Sequence, residues 1–487
     1  MTQPASALRD ASLSAKRRSA ASSISVHAPS GSRCALVFEL IRERIAGRVL
    51  VAGDRLPSLR AMAQHLSVAP ATVVDAYDRL VTEGIVRSHP GSGFFVTGAA
   101  PSFAPAAVAA AKRAVDPFWV SRQALEAGQQ TLRLGCGWLP PSMMPQVPIR
   151  RALRRLGRAD EAMLAEYGSP RGSLTLRRRL ARTFAVEGLP VDPDQILLTA
   201  SGTQAIDLVC RLLLRPGDPV LVDDPGYFNF QALLRVHRAE IIGVPMTSTG
   251  PDVAAFEAIV AARRPRLYLT NSAIQNPTGA TLGPDVARSL LLIAAAHDLV
   301  IVEDDIFAEL EPEPSTRLAV LDGLARVVRI GSFSKTISAS VRCGYVAARG
   351  DWIEDLIDIQ VASNFGGPSP LAAALVHDVL GDSDYRRHLI ALRYALDDLR
   401  VQIGAQLEEL RVRLWLQPRG GFFLWCRLPE GLDAGEMAKS AQQDGVVLAP
   451  GAAFSPSRES AAFMRFNVAQ MQDPRAIDIV ARALKRI

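Results

Sequence analysis

From residue 131 to the C-terminus the chain repeats one texture. Short apolar runs (Gln195–Thr199, Pro219–Val222, Glu240–Val244, Arg266–Thr270, Leu299–Val302, Arg326–Ile330 and Gly344–Ala347) alternate with stretches of helical periodicity. That alternation predicts a mostly parallel sheet covered by helices on both faces. Ligands on such sheets sit at strand ends and helix starts, and the polar motifs of this chain stand at those places.

Ser201-Gly202-Thr203-Gln204 follows the first run and opens a helix reaching Leu214, so its amides and hydroxyls can seat an anion. Pro225-Gly226-Tyr227 follows the second and can lay an aromatic ring over a bound heterocycle. After Tyr268 comes Asn276-Pro277-Thr278-Gly279, a turn with an amide held by the proline. Glu303-Asp304-Asp305 ends a buried strand with three carboxylates. The stretch Arg329 to Tyr345 carries a single lysine, Lys335, with Ser332 and Ser334 before it, Ser338 and Ser340 after it, and Arg342 seven positions on. The like charge of Arg342 is expected to lower the pKa of Lys335 and make its amine nucleophilic. Singly, each motif is also what a helix cap, a core tyrosine, a capped turn or a surface lysine supplies.

Together they ask for one ligand. An aromatic aldehyde bearing a phosphate needs a lysine for its imine, a carboxylate for its ring nitrogen, a donor to its phenolic oxygen, a stacked ring and a phosphate cup. Lys335, Asp304, Asn276 and Tyr227 fill the first four roles, and Ser201, Gly202, Thr203, Ser332, Ser334 and Arg342 form the cup. The implied cofactor is pyridoxal 5′-phosphate.

A length of 487 residues predicts two or three domains, and 48% apolar with 21% charged residues is ordinary globular composition. The net charge of +6 is compatible with nucleic acid but weak evidence for it. Five cysteines without CxxC spacing argue against a zinc site or a disulfide framework and suit a reducing cytoplasm; no metal is expected. No apolar run reaches membrane-spanning length, since Leu290 to Ala296 is stopped by His297 and Asp298. Residues 1–32 are Ala/Ser-rich around Lys16-Arg17-Arg18 and lack a secretory apolar core; a disordered leader is expected, with non-specific DNA phosphate contacts as a minor alternative.

Residues 33–97 change character. Leu36, Phe38, Leu40, Ile41 and Ile45 form one helical stripe, and Ser58 caps a second helix over Leu59 to Leu66. Pro70 starts a third, expected to turn Val73, Val74, Tyr77, Leu80 and Val81 inward, and Ile85 to Val96 forms a hairpin around a Gly-rich tip. Three helices and a hairpin wing make a winged helix-turn-helix. The run from Gly53-Asp54 through Leu56-Pro57-Ser58 to Gly91, Gly93 and Phe95-Val96 closely resembles the GntR-type DNA-binding domain. The resemblance implies that the helix from Pro70 enters the major groove of double-stranded DNA. Arg60 and Thr72 would then contact phosphate or base edges, with the wing at His89 to Gly91 on the minor groove or backbone. The family usually begins this helix with Ser-Arg; Ala69-Pro70 stands here, which removes an arginine able to read guanine. The Pro/Ala/Gly-rich segment 98–130 is expected to be a spacer, with Pro117 to Leu125 packing onto the next domain.

Residues 131–487 resemble the fold type I aminotransferases, an α/β domain with a smaller C-terminal α+β subdomain from about residue 370. By motif, the resemblance implies that Tyr167 in Glu-Tyr-Gly-Ser-Pro-Arg-Gly reaches the phosphate held by a second subunit, hence a homodimer. It implies that Arg465 in Phe-Met-Arg-Phe-Asn binds an α-carboxylate. Related proteins usually place a tyrosine just after the strand-end aspartates, whereas Ile306-Phe307 stands here, a departure expected to weaken turnover more than cofactor binding. In this order the halves resemble the MocR subfamily of GntR regulators. That implies a cytoplasmic transcription factor sensing an amine, an amino acid or the cofactor itself through aldimine exchange at Lys335. A working aminotransferase with an idle head is the alternative, and a cofactor-free scaffold a third reading.

Overall fold

The computed structural model describes residues 33–47, 49–97, 116–128, 130–365 and 367–486. The leader expected over 1–32 and the spacer up to residue 115 lie outside the described residues. The chain divides into two compact units, residues 1–112 and 113–487.

In the first unit α1 (Arg33–Ala46), α2 (Leu59–Leu66) and α3 (Pro70–Thr82) precede an antiparallel hairpin of β1 (Val86–His89) and β2 (Gly93–Val96). Ser58 caps α2, its Oγ accepting from the Ala61 amide at 3.2 Å and so satisfying one of the helix's free donors. α3 starts on Pro70 behind Ala69, which provides no side-chain cap. Val73, Ala76, Tyr77 and Leu80 of α3 pack on Phe38 and Ile41 of α1. Val74, expected inward, is 37% exposed instead, because a step of about 100° per residue takes it off the stripe on which Ala76 lies. The Tyr77 hydroxyl donates to the Pro57 carbonyl at 3.0 Å and ties α3 to the turn before α2.

The second unit begins with α4 (Pro117–Glu126). Its main sheet contains β3 (Ile196–Thr199), β4 (Pro219–Asp224), β5 (Glu240–Thr247), β6 (Gly250–Pro251), β7 (Leu267–Thr270), β8 (Val300–Asp304), β9 (Val327–Ser332) and β10 (Gly344–Ala347). Their order is β3-β10-β9-β8-β7-β4-β5-β6. The pairs among β4, β5, β7, β8 and β9 are parallel, while β10 runs antiparallel to both neighbours. Alternate residues feed two separate cores. Leu198, Leu221, Tyr268 and Ile301 face one, and Leu197, Val220, Leu267 and Val300 face the other. Both faces are therefore covered, as near-continuous apolar strands require.

A four-stranded antiparallel sheet follows, with β11 (Arg413–Leu414), β12 (Phe423–Arg427), β13 (Ala449–Pro450) and β14 (Phe463–Asn467) in the order β11-β12-β14-β13. The two subdomains meet inside the 27-residue helix Ser383–Glu409, where Tyr385 and Leu389 belong to the large core while Leu392 onward belongs to the small one. The helix Pro370–Gly381, placed by sequence in the small subdomain, packs Ala373, Val376 and Val379 into the large-sheet core. Trp119 and Val120 of α4 and Leu134 join the small core, although they precede the main sheet in the chain.

Candidate functional site

The C-terminal ends of β3, β4, β7, β8 and β9 open on one side of the main sheet, around a cavity of about 310 Å³. Ten of the residues singled out from sequence line it: Ser201, Gly202, Thr203, Tyr227, Asn276, Asp304, Ser334, Lys335, Arg342 and Arg465. Ser332 stands just behind, its Oγ 2.5 Å from that of Ser334 and 3.3 Å from the Cys343 carbonyl.

The anion seat expected from sequence lies at a helix start. Ser201 caps the helix Gly202–Leu213 by accepting from the Gln204 amide at 3.0 Å, which leaves the preceding amides without intrahelical partners. Gly344 permits this loop to lie on β10, since a Cβ there would come within 2.7 Å of the Ser201 carbonyl carbon. Arg342 takes a left-handed backbone, φ 55°, at the cavity rim. Ser338 and Ser340, expected beside the anion, bond each other at 2.8 Å and do not line the cavity.

Lys335 donates from Nζ to the Gly137 carbonyl at 2.6 Å. Its pKa is pushed down to about 8, chiefly by burial, then by the charge of Arg465, with Asp304 opposing and Arg342 last. The sequence pointed to Arg342 as the cause; burial and Arg465, 130 positions away, are the larger causes. With no partner bound, the neutral amine is available from about pH 8. The rate at which the apoprotein captures an aldehyde, trapped with borohydride, is therefore expected to climb about tenfold per pH unit below 8 and level off above it. A rise continuing past pH 10 would mean an ordinary solvated lysine.

The three strand-end carboxylates separate. Glu303 accepts from the Leu318 and Ala319 amides at 2.8 and 2.9 Å, capping a short helix. Asp305 pairs with Arg317 at 2.7 Å and Arg329 at 2.6 Å. Asp304 alone faces the cavity, accepting from the Ile306 amide at 3.2 Å, and burial raises its pKa to about 7. A carboxylate so placed favours a cation or a proton against it.

Arg465 of β14 is 1% exposed. Its two terminal nitrogens donate to the Asn276 Oδ1 at 2.7 Å and the Gly135 carbonyl at 2.6 Å, while its buried Nε has no hydrogen-bond partner. Phe423, Phe454 and Phe228 surround the guanidinium, 4.1, 4.8 and 5.7 Å from their centroids. Among the described residues it has no carboxylate partner, and burial lowers its pKa to about 10. Since the Asn276 oxygen is taken by Arg465, the amide nitrogen remains to donate to a ligand. Ile306 and Phe307 both line the cavity, and Phe307 meets Phe422 and Phe423 edge to face, so hydrocarbon stands where the resemblance leads one to expect a tyrosine hydroxyl.

Other singled-out residues lie elsewhere. Tyr167 is 83% exposed and meets Phe365 edge to face at 5.2 Å. On the first unit Arg60, His89 and Gly91 are exposed and Thr72 is half-buried. Two parts of the wall were missed in sequence: the Gly135-Cys136-Gly137-Trp138 loop and the α4 face bearing Val120, Ser121, Ala124 and Leu125. The glycine spacing of the loop was a visible signal; α4 gave none beyond packing. The five cysteines are free, and the described residues contain no metal-holding cluster. No described helix is long and apolar enough to cross a membrane.

A buried carboxylate with no ion-pair partner among the described residues, a lysine of low pKa, a helix start rich in amides and hydroxyls and a cavity-lining tyrosine fit pyridoxal 5′-phosphate. Comparisons agree. A family model described as aminotransferase class I and II matches residues 139–484, and one described as bacterial regulatory proteins, gntR family, matches residues 35–96. Over 445 residues the chain is 31% identical to the uncharacterized HTH-type transcriptional regulator YdcR of Escherichia coli (strain K12), covering 88% of this chain and 94% of that protein. It is 30% identical over 326 residues to a 2-aminoadipate transaminase of Thermus thermophilus, covering 65% of this chain and 80% of the relative. The solved structure of LysN, also from Thermus thermophilus, is an α-aminoadipate aminotransferase complexed with N-(5′-phosphopyridoxyl)-L-leucine. It superposes with a TM-score of 0.68 at 27% identity, over 75% of this chain and 94% of that one.

Proposed function

The chain belongs to the aminotransferase class I and II family and carries a gntR-family head, the make-up of MocR-type regulators, and from this we propose a transcriptional regulator whose second unit senses an amino acid. The family and fold imply pyridoxal 5′-phosphate as the cofactor. When bound, it supplies an electrophilic carbon that an incoming amine can occupy in place of Lys335.

The chain's own residues divide the remaining work. Ser201, Gly202, Thr203, Ser332, Ser334 and Arg342 hold the phosphate, with amides and hydroxyls at a helix start reinforced by one guanidinium. Asp304 holds a proton at the ring nitrogen, Asn276 donates to the phenolic oxygen, and Tyr227 covers one ring face. Arg465 takes the carboxylate through its planar guanidinium. The observation that carries the reading is this amine-and-carboxylate cavity, on one chain with a winged helix. Phe307 favours sensing over turnover, because no hydroxyl stands at its position.

Were an amino acid to take the place of Lys335 on the bound cofactor, the small subdomain would be free to close, and closure would bias the spacing or orientation of two DNA heads. Two heads require two copies. Tyr167 and Phe365, 83% and 69% exposed, suit a homodimer contact in which Tyr167 reaches the other copy's phosphate. Arg60, Thr72, His89 and Gly91 are the DNA-contacting set, and with DNA as its partner the protein works in the cytoplasm. The test is footprinting and mobility shift on the DNA upstream of the protein's own gene, using cofactor-loaded protein with and without amino acids. A changed footprint, or an affinity change of about threefold or more, is expected. Identical footprints and affinities would remove sensing as an account.

A further inference from the structure

We propose that the amino acid taken by this cavity carries an uncharged, apolar side chain, and that α4 selects it; the inference rests on the sensing reading above. Among the described residues lining the cavity, the groups charged near neutral pH are Asp304, Lys335, Arg342 and Arg465. These are already committed, in that order, to the ring nitrogen, the imine, the phosphate and the α-carboxylate. Among the described residues of one chain, no second cation is left for a side-chain carboxylate, and no second carboxylate for a side-chain ammonium.

Apart from Asn229, whose amide donates to the Thr203 hydroxyl at 3.4 Å, the wall beyond the cofactor-holding residues is largely hydrocarbon. Val120, Ala124 and Leu125 of α4 stand with Trp138 and Val447. Ser121 is the polar residue among them, and its hydroxyl already donates to the Pro117 carbonyl at 2.9 Å, one turn back in its own helix. A charged side chain pressed on this surface would lose its hydration and gain no partner, whereas an apolar one gains by leaving water. A plain amine, lacking the carboxylate, would leave Arg465 buried and unmatched.

α4 is held where such a side chain would touch it. Asp116 caps it, accepting from the Trp119 amide at 2.8 Å, and Trp119 and Val120 insert into the small core.

The experiment titrates full-length, cofactor-loaded protein with L-leucine, L-methionine, L-phenylalanine, L-glutamate, L-aspartate, L-lysine and isopentylamine, reading the cofactor's absorbance and the heat of binding. The apolar amino acids are expected to half-saturate at concentrations at least about tenfold below those for the charged ones and for isopentylamine. Glutamate, aspartate or lysine binding as well as leucine overturns the inference alone. No response to any amino acid, with the cofactor band present, overturns the sensing reading and this inference with it. Ser121→Arg supplies the missing cation and is expected to move the preference toward glutamate by about tenfold or more. An unchanged ranking in that variant overturns the role given to α4.

Discussion

Lys335→Ala is expected to abolish borohydride fixation of the cofactor completely and to make DNA binding unresponsive to amino acids, while the head, which has a core of its own, still binds DNA. The chain has only five lysines, at positions 16, 112, 335, 439 and 485, and among them Lys335 lines the cavity. Lys439, by contrast, pairs with Glu436 at the surface. Residual labelling at another lysine would mean that the attachment residue is wrong. The head keeps its own core around Phe38, Val73 and Tyr77, so the substitution removes nothing it needs.

The same variant makes a stability prediction with a defined sign. The amine's pKa is about 8 in the folded protein against an ordinary 10.5, so folding disfavours its proton. Its destabilising contribution is therefore fully present below pH 8 and fades as pH rises toward 10.5. Cofactor-free Lys335→Ala should melt above the wild type at pH 7, and that gap should close at high pH. A gap that widens with pH would reverse the assignment of burial as the main cause.

Much of this molecule was legible along the chain, and the parts that were not share a reason. All seven expected runs became strands of the main sheet, because alternate residues such as Leu197 and Leu198 must bury on opposite faces. Ser58 and Pro70 marked helix starts through local chemistry, and both helices begin there. What stayed hidden depends on contacts between distant positions. The bond from Arg465 to Asn276 spans 189 residues, and that from Lys335 to Gly137 spans 198. Of the three adjacent carboxylates Asp304 was taken for the ligand from sequence; what stayed hidden is why the other two turn away, Glu303 to the Leu318 amide and Asp305 to Arg317 and Arg329. Val74 was misplaced for a smaller reason, since an apolar residue beside a buried stripe carries no mark of which side it will face.

Arg465→Ala is expected to raise the amino-acid concentration needed for half-response by about a hundredfold, or about 3 kcal/mol. The guanidinium is held by two neutral oxygens and three aromatic faces, a setting that keeps it charged without neutralising it. A carboxylate entering beside it gains charge-assisted hydrogen bonds where water no longer competes, which makes the gain far larger than at a surface pair. Loss of the cation also removes a like charge near Lys335, so the amine's pKa should rise in the variant, and aldehyde capture should shift to higher pH. Binding of isopentylamine, which has no carboxylate, should change little. The paired measurement separates a lost carboxylate seat from a collapsed cavity. If the amine and the amino acid weaken together, Arg465 is holding Asn276 and Gly135 in place and not receiving a ligand.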